Sequence, residues 1–139
     1  MALAPEIRTY HEPTTLAEAA QALANGPATL VAGGTLVVRE VQAGRQRYAE
    51  TLINLQRVEE MRGISDSAEG LRIGALTRLR DIVENAIIAA KASALARTGR
   101  HMASTQIRNL GTVGGNPCWA SPSADLNVPF LLLDATVEL

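Results

Sequence analysis

Six residues near the end of the chain, Gly111 to Asn116 (GTVGGN), place three glycines within five positions. An earlier pair, Gly33-Gly34, comes just after the apolar run Ala28 to Val31. Because glycine has no Cβ, it adopts positive φ and lets a ligand approach main-chain N–H groups. Successive N–H groups that face one concavity bind phosphate. The sequence therefore indicates two loops that bind a diphosphate. The alternative is that both loops are only tight turns.

Neither loop matches the common nucleotide motifs. No Lys-Ser or Lys-Thr follows the glycines as in a Walker A motif, and neither loop has the G-x-G-x-x-G spacing of a Rossmann βαβ unit. The pattern thus argues against nucleotide hydrolysis on a P-loop fold and against NAD binding on a Rossmann fold.

The composition is that of one globular domain with a substantial core, since 47% of the 139 residues are hydrophobic. Thirteen Lys and Arg against 14 Asp and Glu leave a net charge of -1, which gives no reason to expect a nucleic acid or membrane partner. No membrane-length apolar run or signal peptide pattern is present, so we predict a cytoplasmic protein. Cys118 is the single cysteine, and His11 and His101 are far apart, so we expect no disulfide and no metal site.

The first part of the chain has an α/β pattern. The sequence from Thr15 to Glu18 has the form of a capping box and predicts a helix that ends at Asn25-Gly26-Pro27. Two short apolar runs, Ala28 to Val31 and Thr51 to Leu55, predict buried strands. This order of one helix and two strands predicts a small sheet with a helix packed against it.

The pattern becomes antiparallel and helical near residue 57. A turn from Asp66 to Gly70 lies between apolar positions and predicts a hairpin. The 3, 4, 7, 8 spacing of apolar residues from Leu79 to Arg97 predicts one amphipathic helix that ends at Thr98-Gly99. A shorter helical segment is expected around His101 to Ile107.

The last twelve residues, VPFLLLDATVEL, predict a buried helix followed by a strand that starts at about Thr136. This strand would reach Leu139, whereas domain boundaries normally fall in exposed polar linkers. We therefore expect a fragment or an unusually short member of its family.

Five motifs in this order resemble the FAD-binding subunit or domain of the molybdenum hydroxylases, the group that contains xanthine dehydrogenase and the CO dehydrogenase medium subunit. The resemblance covers nearly all of the chain. The motifs are YxxPxxLxEA at Tyr10 to Ala19, LxAGGT at Leu30 to Thr35, LxIGAxT at Leu71 to Thr77, RNxGTxGGN at Arg108 to Asn116 and SPxxD at Ser121 to Asp125.

The resemblance implies an α+β protein with the two-lobed FAD-binding fold of the vanillyl-alcohol oxidase/p-cresol methylhydroxylase type. Residues 1–57 would form the small α/β lobe, and residues 58–139 would form a second, antiparallel-sheet lobe that is incomplete. The fold would be truncated, without the C-terminal domain of the family.

The resemblance also implies which residues bind FAD. Both glycine loops would hold its pyrophosphate and neighbouring groups, and Met102 would offer an apolar contact, although a Met on a helix is usually core packing. We expect a side chain at Gly114 to block the pyrophosphate without unfolding the chain. The loop residues are Val31, Ala32, Gly33, Gly34, Thr35, Leu36, Val37 and Val38 in the first, and Thr112, Val113, Gly114, Gly115 and Asn116 in the second.

Asp125 is assigned to the flavin as well, as the resemblance implies. A carboxylate beside a pyrophosphate would be repelled, so we assign Asp125 to a ribose or ribityl hydroxyl. The alternative is that it caps a helix ahead of Val128 and Pro129.

By resemblance the chain is the FAD-binding electron-transfer component of a molybdenum-containing oxidoreductase. A large molybdopterin-binding subunit would hydroxylate substrate, a small subunit with [2Fe-2S] clusters would relay electrons, and FAD would pass them to an external acceptor. We expect no catalytic acid or base in this chain. Two alternatives stay open, an assembly module that has lost flavin and a stand-alone flavin oxidoreductase. The first is suggested by Leu36, which stands where the resembling family usually has a polar residue.

Overall fold

The computed structural model describes residues 6–138. Three short parallel strands, β1 (Thr9–His11), β2 (Ala28–Val31) and β3 (Thr51–Asn54), form a sheet in the order β1-β3-β2. The central strand carries Ile53, which is fully buried. Both strands that the apolar runs predicted are present, and the first glycine loop leaves β2 at the carboxyl edge of this sheet.

Helix α1 (Leu16–Ala24) connects β1 to β2 and begins where the sequence predicted. The hydroxyl of Thr15 accepts a hydrogen bond from the backbone N–H of Glu18 (3.2 Å). The Glu18 carboxylate accepts in return from the N–H of Thr14 (2.7 Å), which lowers the pKa of Glu18. These bonds satisfy N–H groups at the start of the helix, but Glu18 reaches Thr14 instead of the N-cap residue Thr15 that a capping box uses.

Helix α2 (Val37–Gln42) follows the first glycine loop and was not predicted. Within it, Glu40 accepts hydrogen bonds from Arg45 (Nη2, 2.8 Å) and Arg39 (Nε, 3.3 Å), and its side chain is only 14% exposed. The hydrogen bond from Arg45, aided by the charges of both arginines, lowers the pKa of Glu40 from its ordinary value of 4.5 to about 2. The Glu40–Arg45 ion pair thus connects α2 to the loop that follows it.

We expect the stability of the chain to fall in acid partly because of Glu40. Since its pKa is lower in the folded chain, its contribution is complete above pH 4.5 and is lost as the pH falls towards about 2. Glu40→Gln should therefore show a flatter dependence of the melting temperature on pH across this interval. Parallel pH profiles of the variant and the unaltered chain would contradict the prediction.

A hairpin starts the second half of the fold, as predicted, after two 3₁₀ turns (Leu55–Arg57 and Glu59–Met61). Its strands β4 (Ile64–Ser67) and β5 (Gly70–Ile73) pair antiparallel. The chain thus combines a parallel sheet, an antiparallel sheet and helices, so the α+β class is correct.

The single helix predicted from Leu79 to Arg97 is wrong. The structure has three helices, α3 (Leu79–Glu84), α4 (Ala86–Lys91) and α5 (Ser93–His101). Asn85 makes the first break, because its side-chain oxygen accepts from the N–H groups of Ile87 (2.9 Å) and Ile88 (3.1 Å) and so starts a new helix. The predicted end at Thr98-Gly99 is also wrong.

Gly99 lies inside α5 because it allows close packing against α3. A Cβ at this position would lie 2.9 Å from Cγ2 of Val83. The contact between α3 and α5 lies at the main core, whose buried residues are Leu79, Ile82, Ile88, Ala92, Leu95, Ala96, Met102, Val113 and Leu126.

Three further helices complete the described residues: α6 (Thr105–Leu110), α7 (Gly115–Cys118) and α8 (Asn127–Leu132). The expected helical segment around 101–107 is therefore divided, because α5 ends at His101. The prediction of a buried final helix is wrong, since Val128 is 71% exposed and Leu131 is 82% exposed. The predicted final strand is not formed in residues 135–138, and its last residue, Leu139, lies outside the described residues, as do residues 1–5 of the predicted first lobe.

Within residues 6–138, no helix has the length and apolar character needed to cross a membrane.

Candidate functional site

The first glycine loop packs directly against the segment that leads into the second. A Cβ on Gly33 would lie 2.1 Å from the carbonyl oxygen of Leu110 and 2.9 Å from Cα of Gly111. Gly34 has φ +71°, a conformation that side chains rarely adopt. The two loops, some eighty residues apart in the sequence, are therefore neighbours because a glycine lets two backbones touch.

The first loop presents a row of free backbone donors. Among the described residues, none supplies an acceptor for the five successive N–H groups from Gly33 to Val37. The next N–H, that of Val38, donates to the carbonyl oxygen of Gly34 (3.1 Å) as α2 begins. Leu36 occupies the N-cap of α2 and makes no side-chain cap bond, so these donors remain available to an anion.

Gln56, which sequence reasoning missed, anchors the first loop from outside. Its side-chain nitrogen donates to the carbonyl oxygen of Ala32 (2.8 Å). Arg62 in turn donates to the carbonyl oxygens of Gln56 (2.6 Å) and Leu76 (3.2 Å). This chain of bonds connects the first loop to the LxIGAxT motif, and the only signal for it in the sequence is a polar residue just beyond a buried strand.

Gln56→Met should loosen the first loop, because methionine has a similar length but no donor for the Ala32 carbonyl. A neutral hydrogen bond contributes about 1 kcal/mol, so an anion bound by this loop should bind about fivefold more weakly. Titration of apo chain with FAD measures this effect. Gln21→Met, on the exposed surface of α1, is the matched control, and equal affinities in the two variants would contradict the anchoring role.

The second loop runs alongside residues 75–79. The N–H groups of Val113 and Gly114 donate to the carbonyl oxygens of Thr77 (2.9 Å) and Ala75 (2.8 Å). A Cβ on Gly114 would lie 2.7 Å from Cβ of Ala75. The expectation that a side chain at Gly114 leaves the fold intact is therefore wrong, because the side chain meets protein atoms first.

The polar side chains of the second loop are used within the protein. The hydroxyl of Thr112, a buried residue, accepts from the N–H of Gly115 (3.2 Å). The side-chain oxygen of Asn116 accepts from the N–H of Leu126 (3.1 Å). The Asn116 bond fixes the segment that carries Asp125 beside the second loop.

Met102 and Asp125, which are far apart in the sequence, line one open pocket of about 300 Å³. Its other lining residues are Arg97, Thr98 and His101 of α5, which sequence reasoning missed although Arg97 and His101 share a helix face at i, i+4 spacing. No residue of the first loop lines this pocket. Met102 is 6% exposed and belongs to the main core, so only part of it faces the pocket.

The Asp125 side chain is exposed and accepts no hydrogen bond from any residue between 6 and 138. Helix α8 has Leu126 as its N-cap and no side-chain cap bond, so the alternative that Asp125 caps this helix is wrong. Its carboxylate is therefore free to accept from a ligand.

Comparison with known proteins finds relatives over nearly the whole chain. A family model described as the FAD binding domain in molybdopterin dehydrogenase matches residues 5–139. The xanthine dehydrogenase FAD-binding subunit of Escherichia coli O157:H7 is 37% identical over 136 residues, which are 96% of this chain and 46% of the relative. The carbon monoxide dehydrogenase medium chain of Hydrogenophaga pseudoflava is 33% identical over 118 residues, 84% of this chain and 41% of the relative.

Solved structures show the same likeness. The cyanide-inactivated form of the Cu,Mo-CO dehydrogenase matches with a TM-score of 0.82 and 28% identity, over 90% of this chain and 44% of the matched chain. Quinoline 2-oxidoreductase from Pseudomonas putida 86 matches with a TM-score of 0.75 and 32% identity, over 83% of this chain and 40% of the matched chain. The chain spans about half the length of the curated relatives that it matches.

Proposed function

Because the chain belongs to the family of FAD-binding domains in molybdopterin dehydrogenases, we propose that it is the FAD-binding electron-transfer component of a molybdenum-containing hydroxylase or dehydrogenase. FAD is the cofactor of this family. The observation that carries the proposal is the row of N–H groups from Gly33 to Val37, which have no acceptor among residues 6–138 and lie beside the start of the second glycine loop.

This row fits the pyrophosphate of FAD. Each N–H supplies a donor, and charge-assisted hydrogen bonds to phosphate oxygens are stronger than neutral ones. In the proposal, the first loop from Val31 to Val38 and the second from Thr112 to Asn116 hold the pyrophosphate and neighbouring groups. Because the side chain of Val113 is buried in the core and its N–H donates to Thr77, Val113 would act only by fixing the course of the second loop.

The Met102–Asp125 pocket would receive a part of FAD that carries hydroxyl groups. A carboxylate repels phosphate but accepts readily from a hydroxyl, and Asp125 has no competing donor among residues 6–138. We therefore propose that Asp125 accepts from a ribose or ribityl hydroxyl and that Met102 supplies an apolar contact beside it.

Bound FAD would supply the redox chemistry, and this chain would orient the cofactor and surround it with fixed dipoles. Among the described residues, no group of three or more His, Cys, Asp and Glu side chains is placed to hold a metal ion. We propose that a large molybdopterin-binding subunit and a small [2Fe-2S] subunit deliver electrons to the flavin, which passes them to an external acceptor. The names FAD-binding subunit and medium chain among the relatives support such an assembly.

We also propose the two-lobed arrangement of the vanillyl-alcohol oxidase type, with lobes divided between residues 57 and 58, and a cytoplasmic location. The change from the parallel sheet β1-β3-β2 to the antiparallel hairpin β4-β5 at this point supports the division. The location rests on the sequence alone.

The absorbance spectrum of the purified chain, alone and co-expressed with the products of neighbouring genes, tests the proposal. We expect the visible bands of oxidised flavin, and FAD in the extract after heat denaturation. A purified complex with iron-sulfur absorption and no extractable flavin would contradict the proposal and favour the assembly module. Substrate-driven flavin reduction by the chain alone would favour a stand-alone oxidoreductase.

A further inference from the structure

One arginine closes the turn between α5 and α6. Nη1 of Arg108 donates to the carbonyl oxygens of Met102 (2.9 Å) and Ala103 (2.9 Å). Nη2 donates to the hydroxyl of Thr105 (3.1 Å). A single planar guanidinium thus connects α6 to the three-residue turn that precedes it, and a lysine ammonium does not reproduce this forked geometry.

The turn needs such a clamp because its backbone is strained. Ala103 has φ +51°, a left-handed conformation that disfavours residues with a Cβ. Such a residue persists only where its surroundings hold it. The next residue, Ser104, caps α6 by accepting from the N–H of Ile107 (3.3 Å), so the turn is held by the clamp and by the cap.

Helix α6 connects the two parts of the candidate site. At its carboxyl end, the carbonyl of Leu110 contacts Gly33 of the first loop. At its amino end lies the turn that begins with Met102, which lines the pocket with Asp125. Six helical residues span about 9 Å, so α6 sets a fixed separation between the glycine loops and the pocket.

We propose that Arg108 is a positioning residue for the cofactor. It fixes the turn of residues 102–104 relative to α6, and so would hold the Met102–Asp125 pocket at the distance from the glycine loops that FAD spans. The guanidinium itself need not touch FAD. This inference rests on the proposed function, because it assumes that FAD occupies both the loops and the pocket.

Arg108→Gln tests this role, since glutamine cannot reach the two carbonyls and the hydroxyl together. We expect it to weaken FAD binding at least about tenfold in titrations of apo chain followed by flavin fluorescence. Any FAD that remains bound should show altered visible circular dichroism, which reports its surroundings. Arg108→Lys keeps the charge and some donors, so it should recover part of the affinity.

Asn85→Ala is the control for lost stability. It removes two hydrogen bonds at the start of α4, which does not line the pocket, so it should lower the melting temperature of apo chain and change FAD affinity less than about twofold. If Arg108→Gln weakens FAD binding no more than Asn85→Ala, Arg108 has only a structural role and the inference is wrong. If the unaltered chain binds no FAD either alone or in the co-expressed complex, the proposed function fails and the inference fails with it.

Discussion

Gly33→Ala is expected to destabilise the chain severely and to abolish FAD binding. The new Cβ would lie 2.1 Å from the carbonyl oxygen and 2.7 Å from the carbonyl carbon of Leu110. Both are backbone atoms of α6, so no flexible side chain can move away to make room. We expect a loss of about 3 kcal/mol or more in the free energy of unfolding, measured by chemical denaturation.

Gly44→Ala separates this steric effect from backbone strain. Gly44 has φ +71° but no atom within 4 Å of a Cβ, so alanine there incurs only the cost of a left-handed conformation, about 1 to 2 kcal/mol. Gly33→Ala should be clearly more destabilising. Equal losses in the two variants would mean that the first loop does not contact α6 as the structure has it.

The Gly33 contact would couple ligand binding at the first loop to the packing of α6. Neither Gly33 nor Gly114 has room for a Cβ, because it would overlap Leu110 in the first case and Ala75 in the second. Their N–H groups have different roles, since that of Gly114 donates to Ala75 and that of Gly33 has no acceptor among residues 6–138. We therefore expect anion binding at the first loop to depend on the position of α6.

Asp125→Ala is expected to weaken FAD binding without affecting the stability of apo chain. A hydrogen bond to a charged acceptor contributes about 1.5 to 3 kcal/mol, which corresponds to roughly ten- to hundredfold in affinity. The Asp125 side chain is exposed and receives no hydrogen bond from the described residues, so its loss should leave the melting temperature unchanged. FAD titration and thermal unfolding of the same preparations measure both effects.

Glu69→Ala is the matched control, because Glu69 is an exposed carboxylate in the hairpin turn, distant from the pocket residues in the sequence. Its removal should leave FAD affinity unchanged. If Asp125→Ala binds FAD as tightly as Glu69→Ala, the assignment of Asp125 to a cofactor hydroxyl is wrong. A fall in the melting temperature of Asp125→Ala would instead indicate an unrecognised structural role.

Patterns within short segments of the sequence correctly predicted those helices and strands whose ends depend on residues nearby in the sequence. The start of α1 at Leu16, the strands β2 and β3 and the hairpin β4-β5 all agree with the sequence. The single helix over 79–97 failed because the apolar spacing continues through Asn85, whereas the side chain of Asn85 caps a new helix. Helix α2 was missed because it has only six residues and no side chain caps its start.

By itself the sequence indicated the family, through five motifs in order, and singled out the two glycine loops. Only the tertiary structure decided that Gly33 touches Leu110, that Met102 and Asp125 share a pocket, and that Gln56 and Arg108 donate to the carbonyl oxygens of Ala32 and Met102. The reason is physical. A motif records the residue types that a loop needs, but contacts between residues distant in the sequence depend on how the helices and strands pack, and the pattern within a single segment does not contain that packing.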